Sequence, residues 1–105
     1  MRFLTIFRPA ATTPEGAPGG ARSEAMRSYS EEKAKAGVLI SQAMLNPSVT
    51  HVQFDGDEFS VAQTNESIAG YAFIEAASME EAVEGAKEFL RVAGAGTTEV
   101  RQVLA

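Results

Sequence analysis

The run Phe3-Leu4-Thr5-Ile6-Phe7 near the start of the chain is the feature that most limits its fold. It is rich in apolar, β-forming residues and is followed by Arg8-Pro9, which predicts a buried strand. Because side chains alternate along a strand, the odd-numbered residues of the run share one face, and Leu4, Ile6 and Arg8 share the other. Both faces are largely apolar, so the sheet that contains this strand needs cover on both sides.

The rest of the chain predicts two helices and more strands. A helix over 23–36, with Ser23 as its N-cap, is ended by Gly37, where glycine adopts a left-handed conformation cheaply. Ser78-Met79-Glu80-Glu81 has the pattern of a capping box and opens a second helix. The apolar stripe of that helix is expected to be Met79, Val83, Ala86 and Leu90, flanked by Ala82 and Phe89. The other elements are a strand from Val38, a hairpin around Asp55-Gly56, a strand within 68–76 and a last strand over 97–104.

This order predicts an α+β fold of the ferredoxin-like βαββαβ type, with an antiparallel sheet and both helices on one face. The short strands of the hairpin are expected to extend the sheet. We interpret residues 1–105 as a single domain with a long Pro/Gly-rich loop over 9–22. Because the first strand is also apolar on the face without helices, we expect a homodimer whose sheets face each other, as in a dimeric α+β barrel.

Composition excludes several kinds of function. The chain has no cysteine, so thiol catalysis and thiolate metal sites are excluded. A net charge of −5 disfavours nucleic-acid binding, and no apolar run reaches the ~20 residues that span a bilayer. The first eight residues form too short an apolar run for a signal peptide, so we expect a cytoplasmic protein. Neither a cofactor nor a metal is expected, because Gly16–Gly20 lacks nucleotide-loop spacing and the carboxylates around Gly56 lack that of a calcium loop.

Five residues are candidates for contacts with a small ligand, and each has a structural alternative. Arg8 could bind a carboxylate or phosphate, or form a structural salt bridge. Tyr29 could offer its hydroxyl to a cavity, or pack in the core. His51, the one histidine, could act as a general base or lie on the surface. Gln63 and Asn65 belong to a polar stretch over 63–67 that could line a pocket mouth or form a solvated turn.

Several segments resemble the YCII-related proteins, in the branch named for its DGPF signature. Glu32-Lys33-Ala34-Lys35-Ala36-Gly37-Val38-Leu39 resembles the helix-to-strand junction of that branch, and Leu45-Asn46-Pro47-Ser48 resembles its "L-x-PS" turn. Further likenesses lie in the segments 70–75, 78–82 and 99–103. Together they cover about 1–8 and 29–105. The resemblance implies a dimeric α+β barrel.

The chain also departs from that family's pattern. In the branch, Asp-Gly-Pro-Phe precedes the strand that corresponds to 70–75, whereas this chain has Val61-Ala62-Gln63-Thr64-Asn65-Glu66-Ser67-Ile68 there. Other YCII-like proteins are thought to use a His–Asp pair near the first helix, where this chain has no histidine.

Two hypotheses for function remain. The first is a domain that binds or transforms a small molecule in a cleft between the sheet and the first helix, under the 9–22 loop. The second is a non-catalytic dimeric module for structure or assembly. The shape of the interior discriminates between them, because a closed apolar interior without convergent polar groups favours the second.

Overall fold

A computed structural model describes residues 1–10, 19–66 and 68–104. The elements follow one another as β1 (Arg2–Pro9), α1 (Gly19–Lys35), β2 (Leu39–Met44), β3 (Ser48–Phe54), β4 (Phe59–Asn65), β5 (Gly70–Glu75), α2 (Met79–Ala93) and β6 (Gly96–Gln102). The α+β class predicted from the sequence is confirmed. Within the predicted 9–22 loop, Pro9 belongs to β1 and residues 19–22 belong to α1, while 11–18 lie outside the described residues.

Four strands form one antiparallel sheet in the order β2-β5-β1-β6. The apolar first strand is therefore an interior strand, with Leu4 opposite Phe73 on one side and opposite Arg101 on the other. The expectation that the hairpin extends this sheet is wrong. Strands β3 and β4 form a separate two-stranded sheet, in register from Ser48–Asn65 to Phe54–Phe59.

Both helices cover the sheet face that carries Phe3, Thr5 and Phe7. Phe3 is fully buried, and the ring of Phe7 meets that of Phe89 edge-on at 5.2 Å between centroids. This packing orients α2 differently from the predicted stripe, since Ala82 is buried whereas Met79 and Val83 are exposed. The small Ala82 lets the helix approach the sheet closely, which rotates its larger neighbours outward.

Helix α1 begins at Gly19, so Ser23 lies inside the helix and the prediction that it is the N-cap is wrong. Glycine disfavours a helix without forbidding it, so the Gly19-Gly20 pair can form the first turn ahead of Ser23. Its end is as predicted, with Gly37 at φ 77°. The Val38 N–H donates to the Lys33 carbonyl at 3.0 Å, and the Gly37 N–H donates to the Ala34 carbonyl at 3.1 Å. These two bonds are those of a Schellman motif.

The Ser78 cap of α2 is confirmed, but the return bond from Glu81 is made to Ala77, one residue before the N-cap, rather than to Ser78. Ser78 has extended backbone, and its Oγ accepts a hydrogen bond from the Glu81 N–H at 3.1 Å. The Glu81 carboxylate in turn accepts from the N–H of Ala77. The start of the helix is therefore stabilised by its own sequence.

In the part of the chain that the structure describes, the second face of the sheet carries no helix, and its centre is apolar. Leu4 and Ile6 lie on this face because side chains alternate along β1. On the neighbouring strand β5, Phe73 is opposite Leu4 and Tyr71 is opposite Ile6. The rings of Tyr71 and Phe73 meet edge-on at 5.7 Å. We call these four residues, Leu4, Ile6, Tyr71 and Phe73, the open-face patch. Ion pairs bound the patch, with Arg2–Glu75 at one end and Arg8–Glu66 at the other.

Two glycine substitutions are expected to have opposite effects on stability. A Cβ would meet no neighbour within 4 Å at either Gly37 or Gly85, so neither change creates a clash. Gly37→Ala forces a side chain into a left-handed conformation and should lower the free energy of unfolding by about 1–2 kcal/mol. Gly85→Ala lies inside α2 and should raise it by up to about 1 kcal/mol. Urea denaturation measures both, and a Gly37→Ala variant as stable as the parent would contradict the assignment of the helix end.

Candidate functional site

A cavity of about 900 Å³ lies between the sheet and the two helices. Small residues on facing walls leave it open, with Ala72 on β5 and Gly85 and Ala86 on α2. Most of its surface is apolar. The large apolar side chains that line it include Phe7, Met26, Leu39, Ile74 and Phe89.

A few polar groups also line this cavity. The Tyr29 hydroxyl donates to the Gly85 carbonyl at 3.3 Å, and the Thr5 hydroxyl donates to the Ala72 carbonyl at 3.2 Å. The Oγ1 atom of Thr98 is buried and has no hydrogen-bond partner among the described residues. Apolar walls with a few placed polar groups are typical of sites for small molecules.

Tyr29 links the two helices at the wall of the cavity. Its ring lies 6.2 Å from that of Phe89. The Lys33 Nζ lies 5.6 Å from the centroid of the Tyr29 ring and 3.2 Å from Glu88 Oε2. Burial, followed by the nearby charge of Glu88, raises the pKa of the Tyr29 hydroxyl above its ordinary value. The hydroxyl therefore stays protonated at neutral pH and can donate a hydrogen bond.

Arg8 lies outside the cavity, on the sheet face without helices. Its Nη1 is 3.3 Å from Glu66 Oε2, and its Nε is 3.2 Å from Glu99 Oε1. The hydrogen bond to Glu66, then that to Glu99, raises the pKa of the Arg8 guanidinium. Two carboxylates thus occupy this guanidinium, which fits the structural alternative given for Arg8.

The remaining three candidates lie on the exposed hairpin and do not line the cavity. Gln63 and Asn65 share one face of the hairpin, and Gln63 Nε2 donates to Thr50 Oγ1 at 3.4 Å. His51 lies on the opposite face, across from Ala62. The reading of 63–67 as a solvated turn is wrong for residues 63–65, which belong to β4, and Ser67 lies outside the described residues.

Of the five sequence candidates, the structure therefore places only Tyr29 in the cavity wall. Sequence reasoning missed Thr5, Gln42 and Thr98. Thr5 and Thr98 share the helix-covered face because Phe7, two residues from Thr5, is opposite Thr98. Strand alternation could have identified Thr5 as an inward polar residue, whereas Gln42 requires the register of β2 against β5.

No family model matches the chain, and no curated protein matches it. Within the described ranges, neither helix is long and apolar enough to cross a membrane.

The raised pKa of Tyr29 predicts how stability depends on pH. The folded state holds the phenol proton more tightly than the unfolded state does. This difference contributes fully to the free energy of unfolding below the ordinary tyrosine pKa of 10.0, and the contribution is lost as pH rises through the pKa of the folded state. In a Tyr71→Phe variant, which leaves Tyr29 as the only tyrosine, the tyrosinate absorbance should have its midpoint above 10. Glu88→Gln should lower that midpoint in part, because burial remains. A midpoint at or below 10 would show that Tyr29 is solvated.

Proposed function

We propose that this chain is a homodimeric protein related to the DGPF-signature branch of the YCII-related proteins, and that it binds a small molecule between its sheet and helices. The observation that carries the proposal is the cavity of about 900 Å³ with Tyr29 and Thr98 in its wall. Its volume lies within the range of roughly 300–1,000 Å³ that is usual for ligand sites.

The topology supports a ferredoxin-like core. When the β3–β4 hairpin is set aside, the chain order is β1-α1-β2-β5-α2-β6, which is βαββαβ. The strand order β2-β5-β1-β6 then places the first and third core strands at the centre. This core is also the unit of the dimeric α+β barrels to which the resemblance points.

The cavity wall indicates the chemistry of the ligand. Apolar side chains from both layers would bury the body of a mainly apolar molecule. The Tyr29 hydroxyl gives its one proton to the Gly85 carbonyl, so its oxygen would accept a hydrogen bond from a donor on that molecule, and Thr98 Oγ1 offers a buried oxygen that needs a partner. A small molecule with an apolar body and one or two hydrogen-bonding groups fits this wall.

Binding fits the geometry better than catalysis does. His51, the one histidine of the chain, lies on the hairpin and does not line the cavity. The titratable residues that line the cavity are Arg27, Tyr29, Glu31, Lys33 and Tyr71, of which Lys33 is paired with Glu88 and Tyr71 belongs to the open-face patch. General acid–base chemistry needs a group that titrates near the working pH and reaches the reacting atom, and Tyr29 is shifted away from neutrality.

A screen of thermal stability against a metabolite library tests the proposal. A compound at about a hundred times its Kd should raise the Tm by roughly 10 °C. Ala86→Leu places a larger side chain in the cavity wall and should abolish this rise. The matched control is Ala34→Leu on the exposed side of α1, which should retain it. A ligand that binds both variants equally, or a library without any stabilising compound, would contradict the proposal.

The polar part of the ligand has its own test. Tyr29→Phe keeps the ring and removes the hydroxyl oxygen, and should weaken binding about tenfold for a compound with a hydrogen-bond donor. Alanine at His51 or Gln63 should leave the affinity unchanged, because neither lines the cavity. Isothermal titration of one stabilising compound compares these variants.

The homodimer is supported by the small number of buried side chains. Among the described residues, only Phe3 and Ala82 are almost completely buried. A chain of this length normally buries roughly 65% of its unfolded surface, so its core is thin for a stable monomer. A second copy facing the open-face patch would complete it.

Light scattering at micromolar concentration should give twice the monomer mass. Ile6→Lys places a charge in the open-face patch and should weaken the dimer at least about tenfold. Val83→Lys makes the same kind of change on the outer side of α2 and is the control. A monomeric mass for the parent would overturn the homodimer without affecting the cavity.

A non-catalytic assembly module is the second candidate function. The observation that favours it is the β3–β4 hairpin, which exposes apolar side chains outside the cavity. A well-formed dimer together with a failed ligand screen would favour this alternative.

A further inference from the structure

The two faces of the β3–β4 hairpin differ in its outer half, beyond the polar pairs Ser48–Asn65 and Thr50–Gln63 at its base. Residues opposite one another in the register share a face, which places Val52 with Val61 and Phe54 with Phe59 on one side. We call these four residues the arm patch. The other side is mainly polar, and consists of Val49, His51, Gln53, Ser60, Ala62 and Thr64.

The arm patch lies in solvent in the single chain. Val52 is 65% exposed, Phe54 59%, Phe59 72% and Val61 67%. The rings of Phe54 and Phe59 stack at 4.6 Å between centroids, so they form one continuous apolar surface. No charged side chain interrupts it. A continuous apolar surface of this kind on a projecting element marks an interaction site.

The hairpin is paired regularly along its length, although its own contacts are too few to stabilise it. Apart from pairing with each other, β3 and β4 pack against no other element beyond a marginal contact in the described chain. An isolated two-stranded hairpin is at best marginally stable in water. The turn helps, because Asp55 Oδ1 accepts from the N–H groups of Asp57 and Glu58, both at 2.8 Å. A turn alone does not stabilise the seven residue pairs of this ladder, so its apolar face needs a partner.

The base of the hairpin joins the sheet at the edge of the open face. The Glu66 N–H donates to the Pro47 carbonyl at 2.8 Å and closes the hairpin. The Glu66 carboxylate pairs with Arg8, which lies on the same face as Leu4 and Ile6. Seven residues of strand extend roughly 24 Å from this corner. The hairpin therefore leaves the sheet at the edge that carries Arg8, on the side of the open-face patch.

The exposed area fits a second copy of this chain. The accessible surface is 7447 Å². A compact chain of this mass exposes roughly 5,700 Å², so the excess over all 105 residues, of which the two patches are a part, is about 1,800 Å². Obligate homodimers bury about 1,000 Å² or more on each partner. Because every copy carries both uncovered surfaces, one two-fold pairing can cover them without another component.

We propose that the β3–β4 hairpin is a dimerisation arm whose patch of Val52, Val61, Phe54 and Phe59 packs against a second copy of this chain. The inference rests on the homodimer of the proposed function but concerns a different surface. The arm of each subunit reaches across to the other, and the carboxylates at its tip stay in solvent.

A pair of matched double variants tests the arm. The test variant combines Val52→Lys with Val61→Glu and places a cross-strand ion pair on the arm patch. The control combines His51→Lys with Ala62→Glu and places the same ion pair at the neighbouring register position, on the opposite face. Both leave the net charge unchanged. A buried valine is worth at least tenfold in association, so the first variant should raise the dimer Kd about a hundredfold or more. The second should change it less than about threefold by sedimentation velocity.

The outcomes separate the arm from the dimer itself. If Ile6→Lys weakens the dimer and the arm variant leaves the Kd unchanged, the arm is overturned and the homodimer stands. If the parent is monomeric at every concentration, both are overturned, and ligand binding in the cavity stays open to its own test.

A second experiment does not require the double variant to fold. The chain has no cysteine, so single cysteines at Val61 and Ala62 give unique thiols on opposite faces of β4. In the dimer, Val61→Cys should react with a maleimide at least tenfold more slowly than Ala62→Cys, and dilution should remove the difference. Equal rates at a concentration where the protein is dimeric would overturn the arm.

Discussion

The interior position of β1 is the constraint on which the rest of the structure depends. It pairs with β5 on one side and β6 on the other, so neighbours in the sheet come from distant parts of the chain. Phe3 is fully buried on the helix-covered face, and Leu4 and Ile6 point to the other face. A strand that is apolar on both faces is stable only with a layer on each side, and within 1–10, 19–66 and 68–104 the two helices form a layer on one side.

The cavity and the open-face patch are two results of how that sheet is covered. On the helix side, small residues of β5 and α2 leave space that Phe7, Tyr29 and Phe89 frame but do not fill. On the other side, ion pairs such as Arg8–Glu66 surround an apolar centre. The first surface suits a small molecule, because it is concave and carries a few polar groups. The second suits a flat protein surface.

The parts of the fold that local chemistry specifies could be predicted from the sequence. The Ser78–Glu81 cap, the Gly37 helix end and the Asp55–Gly56 turn each depend on hydrogen bonds or φ angles within a few residues. The orientation of α2 could not be predicted as well, since packing against the sheet decided it. Of the site residues, Tyr29 was found because it lies on an apolar helical face, whereas Thr98 and Gln42 reach the cavity only through strand pairing.

The sequence by itself determined the α+β class, the two helix boundaries set by capping and glycine, and the two-faced apolar first strand. Only the tertiary structure decided that the hairpin stands apart from the main sheet. Alternation makes a strand amphipathic but does not specify which strand pairs with it or what covers its apolar face. The same limit separated His51, Gln63 and Asn65 from the cavity, because a side chain's position relative to a site depends on where its whole strand is docked.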